Sequence, residues 1–264
     1  MLLGFGVRAQ ELYVYTEPAS NMPAGSISTK LSSNFIPRQD RTGRAMQRYI
    51  PEVMFGMSKN LMTHVGLTFG DMHTSNLRWE SIFFYAKYRF LSVDDIHQHF
   101  RMAAFADVAY SRSPFHYDEI SFQGDKSGIQ FGVIATQLWN KLAISATVSH
   151  SQVLHNLRKQ TPGAGVVYPF SSMNYSLSAG YLVLPREYKD YRQLNLNVYA
   201  ELLAQQTLDP GRYFLDLAPA IQFIFNSNTK LNVGYRFQLR GDMYRMSRNG
   251  IHVSLERTFL NALK

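Results

Sequence analysis

The chain contains no cysteine, which excludes a disulfide framework and thiolate metal sites. It also lacks any stretch near the ~20 consecutive apolar residues that a membrane-spanning helix needs, although 45% of its 264 residues are hydrophobic. That proportion excludes a disordered chain. Charge is sparse at 17% and leans basic, with a formal net charge of +8. A basic balance admits nucleic acid, anionic lipid or acidic solutes as partners. No basic helix or aromatic–basic reading surface accompanies it, so nucleic-acid binding is excluded.

What the chain does have is alternation. Leu142, Ile144, Ala146 and Val148 interleave with Ala143, Ser145, Thr147 and Ser149. A period of two is a strand with one apolar face and one small, polar face. The pattern recurs in Met173–Val183, Leu194–Leu202, Leu231–Leu239 and Ile82–Phe90. Phe131, Val133 and Ala135 follow it too, but Ile134 and Leu138 interrupt the polar phase. Twelve runs are predicted, at 26–36, 49–58, 61–70, 81–90, 100–111, 128–138, 141–151, 172–184, 194–206, 214–225, 230–240 and 250–260. Most approach the ~9–11 residues of a tilted bilayer-crossing strand, whereas soluble β-proteins average ~5–6.

The connections alternate as well. Short links fall at 58–60, 139–141 and 226–229, and moderate ones at 91–99 and 185–193. Mostly longer segments lie between them at 37–48, 71–80, 112–127, 152–171, 207–213 and 241–249. Short turns at one end and longer loops at the other describe a transmembrane barrel. The aromatic residues, 16 Tyr, 18 Phe and 2 Trp, collect near the run ends, as at Trp79, Tyr88, Tyr110, Trp139 and Tyr181, where a barrel carries its interfacial aromatic girdles. The fold class is therefore all-β, an antiparallel transmembrane β-barrel of about 12 strands. Closure follows because an open sheet edge in hydrocarbon leaves backbone polar groups unpaired. An even strand number puts both termini on the short-turn side. The competing architecture is a soluble β-sandwich or lipocalin-like binder, which would dissolve without detergent.

Residues 1–9, with Leu2, Leu3, Phe5 and Val7, read as the back half of a secretory signal peptide. Residues 10–25 form an N-terminal periplasmic or lumenal segment, and 26–264 the barrel. The barrel pattern resembles Gram-negative outer-membrane β-barrels. The stretch Glu17-Pro18-Ala19-Ser20-Asn21-Met22-Pro23-Ala24 is similar to uncharacterised Bacteroidetes-type barrels, some from heavy-metal efflux contexts. The resemblance implies the cell outer membrane, outer-membrane lipid and lipopolysaccharide as surroundings, and a periplasmic or export-system partner.

The non-apolar phase supplies a lumen set: Glu52, His64, Lys87, Arg89, Arg101, Asp107, Glu201, Asp216, Arg236, Arg240, His252 and Glu256. Both signs occur, so the set reads either as a selectivity lining or as salt bridges that fill the barrel. Arg38, Arg41, Arg44 and Arg48 form a basic loop, joined by Arg158, Lys159, Arg245 and Arg248. Guanidinium groups suit lipopolysaccharide phosphates or anionic solutes. The methionines Met54, Met57 and Met62 beside His64, followed by Asp71-Met72-His73, contain soft ligands but read as packing residues. His97-Gln98-His99 beside Asp94 and Asp95 reads as a solvated turn rather than a divalent-metal site. No cofactor or metal is expected.

One enzymatic alternative exists. Twelve-stranded outer-membrane phospholipases use a Ser–His–Asn arrangement with His and Ser two apart on a strand. His252-Val253-Ser254 has that spacing, and Ser149-His150-Ser151 is a second instance. His252 and Ser254 share the lumenal phase, whereas such a lipase presents its site to lipid. The expected function is a channel or transporter for small solutes or ions, or an accessory of an export system. A non-conducting structural or adaptor barrel comes next.

Overall fold

The computed structural model describes residues 13–37, 43–96, 98–113, 117–154, 168–185, 193–209 and 211–263. Residues 1–12, and with them the signal-peptide reading, lie outside the described residues.

Twelve antiparallel strands close into one barrel. In chain order they are β1 (Ile27–Ile36), β2 (Met46–Gly56), β3 (Leu61–Gly70), β4 (Arg78–Asp94), β5 (Gln98–Ser111) and β6 (Gly128–Trp139). Then follow β7 (Leu142–Val153), β8 (Ser171–Leu184), β9 (Asn195–Thr207), β10 (Tyr213–Phe225), β11 (Thr229–Gly241) and β12 (Asn249–Phe259). Each pairs with its sequence neighbour, and β1 pairs with β12, Ile27 opposite Phe259, to seal the seam. Asn140 and Asn226 take left-handed φ values of 50° and 49° in tight turns, a conformation asparagine tolerates.

The apolar phase points outward. Val53, Val65, Phe84 and Val108 stand opposite one another across β2–β5 and remain 38–45% exposed. Leu31, Val133, Val148, Leu177, Val198, Ile221, Val233 and Leu255 continue the belt around the other strands. An exposed apolar belt on a closed sheet with no free edge is the form that hydrocarbon accepts. Aromatics cap it: Phe35 meets Tyr49 at 6.2 Å, and Trp79 lies 6.4 Å from Tyr110, with the Arg112 guanidinium 5.5 Å above its ring.

The link predicted at 91–99 is mostly strand. β4 runs on to Asp94 and β5 begins at Gln98. Leu91 and Val93 simply continue the outward phase after a register shift at Arg89. That shift breaks the alternation on which the boundary was read.

Candidate functional site

The lumen is occupied from both ends. From Gly25, whose N–H donates to the Gly56 carbonyl at the short-turn end, the N-terminal segment 13–22 turns into the barrel. Glu201 of β9 holds it. Its carboxylate accepts from the N–H groups of Val14, Tyr15 and Thr16, each at 2.9 Å, and from the Thr16 and Ser178 hydroxyls. Lys87 of β4 reaches Glu17 at 2.8 Å and the Pro18 carbonyl at 2.7 Å. The Ala19 N–H donates to Thr136 of β6, and Arg101 of β5 donates to the Ser20 hydroxyl. Successive backbone donors thus meet wall side chains, as buried N–H groups require.

Apolar packing completes the docking. Ala19 sits on Ala103, Ile134 and Phe105. Tyr13 and Val14 sit on Leu138, Ala143, Tyr199 and Ala220. Ile134 and Leu138 are the two residues that broke the polar phase of β6. Tyr15 lies against His252, ring centroids 5.3 Å apart. A Cβ on Gly234 would come within 2.8 Å of the Tyr15 ring, so glycine opens the space for it.

The second occupant is the β5–β6 loop, which folds inward from the long-loop end. Ile120 exchanges two hydrogen bonds with Gln205, both 2.8 Å, and with Phe122 it packs on Ile50, Phe83, Ala109 and Val153. Asp125 pairs with Arg48 at 2.6 Å and meets His73 at 3.0 Å. Burial raises the Asp125 carboxyl, but Arg48 and His73 outweigh it and hold it below the usual range. Glu119 and Asp216 share Arg236 and Arg245, at 2.5–3.3 Å. Burial also raises Glu119, and the two guanidinium groups bring it down. Burial pushes the Lys126 ammonium down to about 7, and its Nζ donates to the Tyr117 carbonyl at 2.8 Å.

Two cavities remain. One of about 590 Å³ reaches from the inward loop at Glu119–Gln123 to Asn228 and Leu260 at the short-turn end. Another of about 270 Å³ opens among Met246–Asn249 at the long-loop end. They share Tyr15, Lys30, Glu52, Glu119, Gln123 and Arg236 as walls.

Among the sequence-selected residues, Glu52 pairs with Lys30 at 3.4 Å and Glu256 with Lys230 at 2.8 Å. His64 is buried on β3, 3.8 Å from Glu17. Asp107 faces the larger cavity from β5. Arg89 turns to the Lys59 carbonyl at the β2–β3 turn.

Three sequence assignments are corrected. Arg240 is exposed and stands opposite Leu215, because the register shift between Leu215 and Asp216 reverses its phase. Arg48 is a buried β2 residue bridging Glu80 and Asp125. Arg245 turns inward onto Phe214, 3.8 Å from its ring. Arg44 stays in the loop ahead of β2, as read, and braces the next loop through Asp71 at 3.1 Å. Arg38, Arg41, His97, Arg158 and Lys159 lie outside the described residues.

His99 and Arg101 both contact Asp94, at 2.8 and 2.9 Å, a small ion-pair cluster. Among the described residues no three His, Asp or Glu gather closely enough to hold a metal ion. His252 Nδ1 lies 2.7 Å from Asn34 Oδ1, while the Ser254 hydroxyl accepts from Asn232 at 2.9 Å. The histidine and serine of the phospholipase alternative thus engage different partners.

Lys30, Glu80, Glu119 and Lys230 were missed. The small polar phase Ser28–Ser32–Asn34 signalled Lys30. Glu119 sits in a loop, where no period speaks.

No family model and no curated protein matches the sequence. Solved structures do. An outer-membrane channel of Pseudomonas putida F1 superposes with a TM-score of 0.62 at 11% identity, covering 94% of this chain and 100% of that one. The KdgM porin gives 0.54 at 9% identity, over 88% and 99%. The β domain of the Bordetella autotransporter BrkA gives 0.51 at 11%, over 89% and 99%. At these identities the likeness shows the fold: a closed barrel of the outer-membrane kind.

Proposed function

We propose that the chain is an outer-membrane channel for small solutes or ions, with outer-membrane lipid around its apolar belt. One observation carries the reading. The two cavities share walls and together reach from Met246–Asn249 to Asn228 and Leu260, with side chains of all twelve strands around them. The Tyr13–Met22 segment, fastened to β4, β5, β6 and β9, itself lines the larger cavity and narrows the lumen without filling it. Ion pairs of both signs line the path, so its selectivity is expected to be mild. The two matched structures named as a porin and a channel support the reading.

Single-channel recording of the full chain in a planar bilayer tests it. Discrete, small conductance steps are expected. Silence from a folded, heat-modifiable barrel would overturn the proposal. It would favour the second reading, a non-conducting adaptor barrel, including one serving an export system. That reading draws on the bonds from Lys87, Arg101, Thr136 and Glu201 that fasten the segment.

A further inference from the structure

On the wall opposite Glu201, four inward residues stand in register on adjacent strands: His64 opposite Tyr85, Tyr85 opposite Asp107, and Asp107 opposite Gln130. All four line the 590 Å³ cavity, as does Phe105. The rings form a strip, with His64 and Tyr85 centroids 4.9 Å apart and Tyr85 stacked on Phe105 at 5.5 Å.

The charges in this cavity balance except at one point. Every lysine and arginine on its wall already has a carboxylate: Lys30 with Glu52, Lys87 with Glu17, Arg101 with Asp94, Lys230 with Glu256, and Arg236 with Asp216. Glu201 has no cation among the described residues, but five donors surround it. Asp107 has neither. No ion pair reaches it among the described residues, and its Oδ1 and the Tyr85 hydroxyl have no hydrogen-bond partner there. A half-buried carboxylate without a counter-charge is costly. A mobile cation relieves that cost, and neighbouring aromatic rings favour an organic one.

We propose that His64, Tyr85, Asp107 and Gln130 form a binding site for a small protonated amine, with Asp107 as its counter-ion. The site rests on the solute-path reading, since the amine must enter the lumen. A neutral polyol would leave Asp107 uncompensated, and an anion would be repelled by it.

Calorimetric titration of the refolded full chain in detergent tests this, with 1,4-diaminobutane as probe and 1,4-butanediol as its neutral counterpart. Saturable diamine binding is expected, with the diol silent. Asp107→Asn is expected to weaken it about tenfold or more, the scale of one lost charge-assisted contact. Asp95→Asn, in an exposed turn, is expected to leave it unchanged. No diamine binding, equal diol binding, or an unaltered Asp107→Asn would each overturn the site. Should Asp107→Asn fail to fold, the diamine–diol contrast on the native chain still decides. Conductance in potassium chloride separates the two readings. An open pore that ignores the diamine removes the site and keeps the path. A silent barrel that binds diamine does the reverse.

Discussion

The two sides of the lumen differ in kind. On β5–β10 the inward face carries Ala103, Ile134, Leu138, Ala143, Tyr199 and Ala220, all buried, with the N-terminal segment packed on them. On β11, β12, β1 and β2 it carries Lys30, Ser32, Asn34, Glu52, Lys230, Asn232, His252 and Glu256, most of which line the cavities. The same strand physics produced both. Under the docked segment an inward residue is apolar where the segment's side chains pack on it and polar where its backbone or charged groups need a partner, as at Glu201, Lys87 and Thr136. A break in the polar phase of a barrel strand therefore marks a docking place, not a fault in the pattern.

Removing the cover should have the largest effect. Deletion of residues 13–22 would bare the apolar wall and join the lumen into one opening. Conductance should rise severalfold, and an unchanged conductance would mean that the two walls are not functionally distinct. Loosening the cover should do less. Glu201→Gln turns an amide N–H toward backbone donors that now meet a carboxylate. Hydrogen bonds to charged groups contribute ~1.5–3 kcal/mol each, so undocking should become roughly a hundredfold more frequent. A cysteine at Ser20, labelled from the short-turn side, would report it. Equal labelling in both backgrounds would show that the grip is incidental.

A third effect belongs to the inward loop and is confined to one pH window. Burial holds the folded Lys126 amine near 7, against ~10.4 for an exposed lysine. Between those values the unfolded chain binds more protons, so stability should rise with pH across that window and level off below 7. Lys126→Met should flatten the slope, as read by thermal unfolding at stepped pH.

The barrel itself was legible in the sequence because the outward phase had only lipid to answer to. Each of the twelve runs coincides with a strand, and only boundaries moved, as where a register shift hid the extension of β4 to Asp94. The lumen was less legible. Its partners are distant: Arg245 meets Glu119 across 126 residues, and Ile120 meets Gln205 across 85. No periodicity encodes such pairs. The signals that did exist were exceptions, Ile134 and Leu138 on a polar phase, and Ile120 and Phe122 in a loop. Arg48 and Arg245 read as loop cations because the loop that neutralises them was itself unread.

The grip of Glu201 on Val14 joins residues 187 positions apart. Contacts that distant form late, after the intervening chain is ordered. The seam is more distant still, since Ile27 of β1 pairs with Phe259 of β12. Closing the barrel and docking the segment on Lys87, Arg101, Thr136 and Glu201 therefore belong to the same late stage, when both ends of the chain come into place together.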